Sequence, residues 1–114
     1  MARWCLLPLL YYLYCLPAAA AEPTGAQLLV ACRTAVDNGF TGMEASMCDW
    51  YVTPCECGPE PPAGTARVCL PADVTTLELA RQVIDGLQQR PELADLSAAD
   101  AARTVLAAIY PCPD

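Results

Sequence analysis

The chain has 114 residues and a formal net charge of −7, with 13 acidic residues, 6 arginines, no lysine and no histidine. Without histidine it cannot build a Ser-His-Asp or Cys-His catalytic arrangement, or a zinc site of mixed cysteine and histidine ligands. Its acidity argues against nucleic acid and anionic membranes as partners and favours a basic one, although such charge also keeps a small domain soluble.

Residues 1–21 have the layout of a secretory signal peptide. Arg3 supplies a positive charge, residues 6–16 form an apolar run, and the alanines at 19–21 offer a cleavage site. The apolar run is shorter than a helix needs to span a bilayer, so no stable membrane insertion is expected. The sequence therefore predicts an exported protein with one domain at residues 22–114.

The first helix of that domain begins at Thr24. Thr24 to Gln27 has the form of a capping box, in which each residue's side chain accepts the other's backbone amide. Asn38-Gly39 is typical of a helix end, because both residues tolerate the left-handed conformation. An apolar stripe at helical spacing lies between them: Leu28, Leu29, Cys32, Ala35 and Val36.

A second box, Thr41 to Glu44, opens the next helix, with Phe40 and Ala45 as a hydrophobic staple across it. Cys32 lies about two turns before the connection between these helices, and Cys48 about two turns after it. Antiparallel packing sets the two cysteines level, so a Cys32–Cys48 disulfide is predicted. The stripe of the second helix is Met47, Cys48, Tyr51 and Val52.

Residues 54–68 hold four prolines and two glycines and are predicted to be a loop between two helical hairpins. Cys55 and Cys57 lie in this loop, and three interpretations of them stay open. They form a third disulfide, within the pair or elsewhere; they are free or bonded to another chain; or they bind a metal, which an oxidising compartment disfavours.

Two further helices follow the loop. Thr75 to Glu78 is a capping box with Val74 and Leu79 as its staple, and Arg90-Pro91 ends that helix because the residue before a proline avoids helical geometry. Ser97 to Asp100 is a weaker box, and Pro111 ends the last helix. The two stripes are Leu77, Ala80, Val83, Ile84 and Leu87, then Ala98, Ala101, Ala102, Val105, Leu106 and Ile109.

The turn between these helices is short, so they are predicted to fold back antiparallel and to bring Cys69 and Cys112 together as a disulfide. Cys5 and Cys15 lie in the predicted signal peptide, so six of the eight cysteines remain in residues 22–114. Six cysteines in an exported domain indicate a disulfide framework, although they allow fifteen pairings. The predicted fold class is all-α: a small bundle of two disulfide-stapled helical hairpins, with four main helices.

The C-terminal half carries four motifs: Cys69-Leu70-Pro71, Val74-Thr75 ahead of Leu79, Arg90-Pro91-Glu92, and Tyr110-Pro111-Cys112-Pro113. In this order they resemble the Rap/Tai family of periplasmic immunity proteins. Those proteins neutralise peptidoglycan amidases that type VI secretion systems deliver. Leu28-Leu29, Cys32, Cys48 and Tyr51 match the family more loosely.

The resemblance implies a periplasmic protein, often a homodimer, that occludes the catalytic cleft of an amidase effector and needs no cofactor or metal. It implies that a loop enters the cleft. Two loops could project, residues 89–96 between the last helices and residues 58–67 between the hairpins, and the first is favoured. The predicted partner-binding residues are Arg90, Pro91, Glu92, Leu93, Asp95 and Trp50. Trp50 replaces the family's usual glycine, and Cys55 and Cys57 are additional to its usual four cysteines.

Other interpretations of the same features remain open. The turn at residues 89–96 joins two helices whether or not it binds anything, and Glu92 with Asp95 is typical of a solvated face rather than an acid/base pair. Trp50 is either partly buried or an aromatic anchor at an interface. The alternative function is a small exported helical chaperone or ligand carrier, and a third is an envelope accessory protein without a toxin partner.

Overall fold

The computed structural model describes residues 22–53 and 64–113. Within them, two antiparallel helical hairpins, α1–α2 and α3–α4, pack into one bundle, which confirms the predicted all-α fold. The predicted signal peptide and the pair Cys55 and Cys57 lie outside the described residues. The elements are α1 (Gly25–Asp37), α2 (Gly42–Val52), α3 (Thr76–Gln89), a 3-10 helix (Pro91–Asp95) and α4 (Ala98–Ile109).

Two helices begin with the complete capping boxes that the sequence predicts. At α1, Gln27 N donates to Thr24 Oγ1 at 3.3 Å and Thr24 N donates to Gln27 Oε1 at 2.8 Å. At α3, Glu78 N donates to Thr75 Oγ1 at 3.1 Å and Thr75 N donates to Glu78 Oε2 at 3.2 Å. These bonds satisfy amides that have no partner within the helix, and so fix where each helix begins.

The other two starts differ from a full box. Ser97 Oγ accepts the Asp100 amide at 3.2 Å, but the Asp100 carboxylate binds Arg103 instead of reaching back. The predicted box at Thr41 is wrong. The Thr41 hydroxyl makes no cap bond to α2. It donates instead to the Asn38 carbonyl at 3.1 Å, within the turn between α1 and α2.

The core is closed by small and aliphatic side chains, and every buried side chain among the described residues is apolar. Leu77, predicted to face inward, is 38% exposed, whereas Leu79, predicted only as a staple, is 1% exposed. Two residues of a helix point about 200° apart when they are two positions apart, so only one of this pair can face the core. Ile109, also predicted inward, is 44% exposed on the last turn of α4.

Both predicted disulfides are present. Cys32 and Cys48 join α1 to α2 with their Cα atoms 5.0 Å apart, and both side chains are fully buried. Cys69 and Cys112 join the two open ends of the α3–α4 hairpin, 4.9 Å apart at Cα. At that end the Cys69 amide also donates to the Tyr110 carbonyl at 2.9 Å.

The opposite end of the bundle is held by backbone bonds between the starts of α1 and α4. Gly25 N donates to the Leu96 carbonyl at 2.8 Å, and Ala98 N donates to the Pro23 carbonyl at 2.7 Å. A side chain at position 25 would overlap the Leu93 carbonyl oxygen, so this approach requires glycine. The 3-10 turn is therefore fixed against the first hairpin as well as between α3 and α4.

A second close approach joins α3 to α4. A methyl group added at Gly86 would lie 2.5 and 2.7 Å from the two methyl carbons of Val105, well inside van der Waals contact. Glycine in mid-helix normally costs about 1 kcal/mol relative to alanine, so its use here marks a place where the helices need the space. None of the described helices is long and apolar enough to cross a membrane.

We expect Gly86→Ala to lower the free energy of unfolding by about 1 to 2 kcal/mol, because overlap with Val105 outweighs the better helix propensity. In a Val105→Ala background the overlap is gone, and the same change should become neutral or stabilising. A double-mutant cycle by urea denaturation measures this coupling. Equal effects in both backgrounds would contradict the close approach.

We expect the double change Cys69→Ala and Cys112→Ala to lower the free energy of unfolding by about 4 kcal/mol, the chain-entropy value for a loop of this length. The bridge spans 43 positions and its two residues are not in the core, so packing is little affected. The measurement is urea denaturation without added oxidant, with helix content checked by circular dichroism. A loss below about 1 kcal/mol would show that the open ends are held by other contacts.

Candidate functional site

The predicted binding turn is a 3-10 helix rather than an irregular loop. Pro91 opens it, with a ring that fixes the backbone in a helical range. The Leu93 amide donates to the Arg90 carbonyl at 3.0 Å, and the Leu96 amide donates to the Leu93 carbonyl at 3.2 Å. Together with the bond from Gly25 to Leu96, this makes the turn a fixed projection.

The turn presents a mixed charged surface. Glu92 and Asp95 are exposed, and Arg90 Nε lies 3.3 Å from Glu92 Oε1 in an ion pair whose side chains are 47% and 64% exposed. A pair as open as this contributes little to stability, so its members are free to bind another protein instead. Pro91 is also exposed.

Leu93 departs from the predicted set of contact residues. Its side chain is only 4% exposed and belongs to the core cluster. A 3-10 helix has three residues per turn, so the turn can face solvent at Glu92 and Asp95 while Leu93 faces inward. Leu93 therefore anchors the turn, and its side chain is not available for contact with a partner.

Trp50 lies on the surface, so the interpretation that it is partly buried is wrong, while its role as an interface anchor stays a prediction. It is 76% exposed, whereas its neighbour Tyr51 is half-buried and packs against the core. Successive residues of a helix point about 100° apart, so the pair divides between solvent and core. An exposed tryptophan is the residue type most enriched at the energetic centres of protein interfaces.

Sequence reasoning missed the residues that continue this surface. Met43 is 85% exposed, and Met47, which was predicted inward, is half-buried. Met43, Met47 and Trp50 follow the i, i+4, i+7 spacing of one helix face. The signal that could have found them is an α2 sequence with apolar residues on both sides, not on one.

Trp50 lies on a helix that runs back toward the end of the bundle that carries the 3-10 turn. The start of α1 is bonded to Leu96 at the end of the turn. Because α2 runs antiparallel to α1, the last turn of α2, with Trp50, returns toward that end.

Two surface grooves are also present. One, of about 320 Å³, lies between α1 and α3, and the other, of about 290 Å³, lies between α3 and α4. Charged side chains line both, and the bundle centre is filled by alanine and leucine side chains, so neither groove resembles the apolar cavity of a lipid carrier. The first groove is lined by Arg33, Val36, Asp37, Arg81, Ile84 and Asp85.

The comparison with protein families identifies the family of this chain. The family model described as Rap1a immunity proteins matches residues 24–112, which run from the cap of α1 to the last disulfide cysteine. No curated protein and no solved structure matches the chain. The family match confirms the resemblance inferred from the sequence motifs.

We expect Leu93→Ala to lower the free energy of unfolding by about 3 kcal/mol, because it removes a buried aliphatic side chain from the foot of the turn. Glu92→Gln, one position away, should change it by less than about 0.5 kcal/mol, because its ion pair is exposed. Urea denaturation of the two variants measures the difference. Comparable losses would mean that the turn is not divided into a buried and a solvent side.

Proposed function

The chain belongs to the family of Rap1a immunity proteins, and we propose that it is a periplasmic immunity protein which binds and inhibits a peptidoglycan amidase delivered by a type VI secretion system. The observation that carries the proposal is the family match over residues 24–112. The sequence motifs that resemble amidase immunity proteins support the choice of effector class. The predicted signal peptide at residues 1–21 supports the periplasm as the place of action.

The proposed inhibition is steric. The 3-10 turn enters the catalytic cleft of the amidase, with Arg90, Pro91, Glu92 and Asp95 as contacts and with Trp50 as an anchor beside it. Because the turn is bonded to α1 and rests on buried Leu93, it loses little conformational entropy on binding, and preorganisation of this kind raises affinity. No chemistry is asked of the immunity protein.

Charge supports the same partner. The full chain carries −7, and an acidic inhibitor approaches a basic effector faster than a neutral one because long-range attraction steers the encounter. Rapid capture suits a protein that must neutralise a toxin before it cuts the cell wall. Screening by salt should therefore slow association more than it speeds dissociation.

The test is co-expression in the periplasm with a peptidoglycan amidase effector from the same genome. The proposal predicts that the full-length protein prevents the lysis which the amidase causes alone. A matched version without residues 1–21 should give no protection, because it stays in the cytoplasm. Lysis that continues in the presence of the exported protein would overturn the proposal.

We expect the double change Glu92→Lys and Asp95→Lys to weaken binding to the amidase by roughly ten-fold or more, since charges that face the partner are reversed. The matched control is Asp37→Lys with Asp73→Lys, which changes the net charge equally at exposed positions away from the turn. Affinities from isothermal titration calorimetry measure both. An unchanged affinity for the Glu92 and Asp95 variant would reject this turn as the inhibitory element.

A further inference from the structure

The outer face of α2 carries a row of apolar side chains that the core does not cover. Met43 is 85% exposed and Trp50 is 76% exposed, with half-buried Met47 between them. The three residues, called here the α2 stripe, span two helical turns, or about 10 Å along the helix axis. A lone exposed apolar residue is ordinary, but a continuous row on one short helix is typical of an interaction surface.

The stripe cannot rotate inward. Ala45, Cys48 and Val52 form the opposite, buried face of α2, and Cys48 is covalently bound to Cys32 of α1. This bond fixes which side of α2 faces the core, so the stripe stays in solvent while the fold is intact. Only one of the two apolar faces of α2 is used within the described bundle.

The charges beside the stripe indicate what covers it. Glu44 and Asp49 are exposed on α2, and α2 contains no arginine. Neither carboxylate belongs to an ion pair within the described residues, where the pairs are Arg90 with Glu92 and Arg103 with Asp100. A second copy packed stripe against stripe would bring the carboxylates of the two copies together, and they would repel each other. An anionic lipid surface would be repelled as well. A basic surface with apolar side chains satisfies both features.

We propose that the α2 stripe is a second docking surface for the amidase, in which Trp50 enters an apolar pocket and Glu44 and Asp49 pair with lysine or arginine side chains around that pocket. This inference rests on the proposed function. It adds a residue set and a partner chemistry that cleft occlusion by the 3-10 turn does not require. Tryptophan supplies a rigid anchor, and the unbranched methionines adapt to its surroundings.

The stripe and the 3-10 turn belong to one fixed frame. Trp50 lies in the last turn of α2, which is joined to α1 by the Cys32–Cys48 bridge, and the start of α1 is bonded to the end of the 3-10 turn. Two contacts on one rigid frame behave as linked sites, because the first contact holds the second at high effective concentration. The stripe would therefore strengthen binding without entering the cleft.

The first experiment measures the affinity of the exported protein for the purified amidase by calorimetry. Trp50→Ser, and separately Glu44→Lys with Asp49→Lys, should each weaken binding by ten-fold or more. Two matched controls should change it less than two-fold. Leu77→Ser removes an exposed leucine from α3, and Asp73→Lys with Asp85→Lys gives the same change of net charge away from α2.

The outcomes separate this inference from the proposed function. If the amidase binds and the α2 variants keep wild-type affinity, the stripe is not a docking surface, while immunity by the turn stands. If the wild-type protein does not bind the amidase, the proposed function fails and the inference fails with it. If light scattering shows a dimer that Trp50→Ser makes monomeric, a second copy covers the stripe and the inference is overturned.

The second experiment reads the stripe directly. Trp50 is the only tryptophan in residues 22–114, so replacing it with 5-hydroxytryptophan gives a probe that can be excited apart from the amidase's own tryptophans. Saturation with amidase should shift its emission to the blue and protect it from acrylamide quenching, also in the Glu92→Lys and Asp95→Lys variant. Emission and quenching that stay unchanged at saturation would place Trp50 outside the interface.

Discussion

The bridge between Cys32 and Cys48 is the constraint on which the rest of this structure depends. Both cysteine side chains are fully buried, so this covalent bond between α1 and α2 is also part of the hydrophobic core. It sets α1 and α2 level and also fixes the rotation of α2 about its axis. Cys48, on the buried face of α2, therefore determines which side chains of α2 face solvent.

The second hairpin is fixed to this base by different means at its two ends. Its open end is closed by Cys69 and Cys112, and its turn is bonded through backbone amides to the start of α1. Small residues make such close approaches feasible: Gly25 admits the Leu93 carbonyl, and Gly86 admits Val105. A domain of this size gains from such fixed points because its apolar core is modest. The stiffness that results is what a protein needs if its task is to occupy another protein.

Much of the fold follows from local sequence signals that agree with one another. The boxes at Thr24 and Thr75 set the starts of two helices, and cysteine spacing within antiparallel hairpins was enough to pair all four described cysteines. Where a cap prediction was wrong, a neighbouring contact had taken over. Thr41 has the right sequence for a cap, but its hydroxyl is used by the preceding turn.

The candidate site was less predictable, because exposure depends on rotation and a helix pattern does not fix rotation when both faces are apolar. For this reason the sequence did not predict that Met43 and Trp50 face solvent and that Leu93 faces the core. The turn was expected to be a loop, and a 3-10 helix has too short a period to be recognised over five residues. Composition favours a basic partner but does not indicate which side of the bundle would meet it.

The order of the cysteines along the chain has a consequence for how the protein matures. Of the cysteines in residues 22–114, Cys32 and Cys48 emerge first from a chain that appears from its N-terminus, and they are only 16 positions apart. Cys112 comes after all four helices, so its bond with Cys69, across 43 positions, cannot form until the whole domain has emerged. Oxidation in step with emergence would therefore remove most of the competing pairings before they could form.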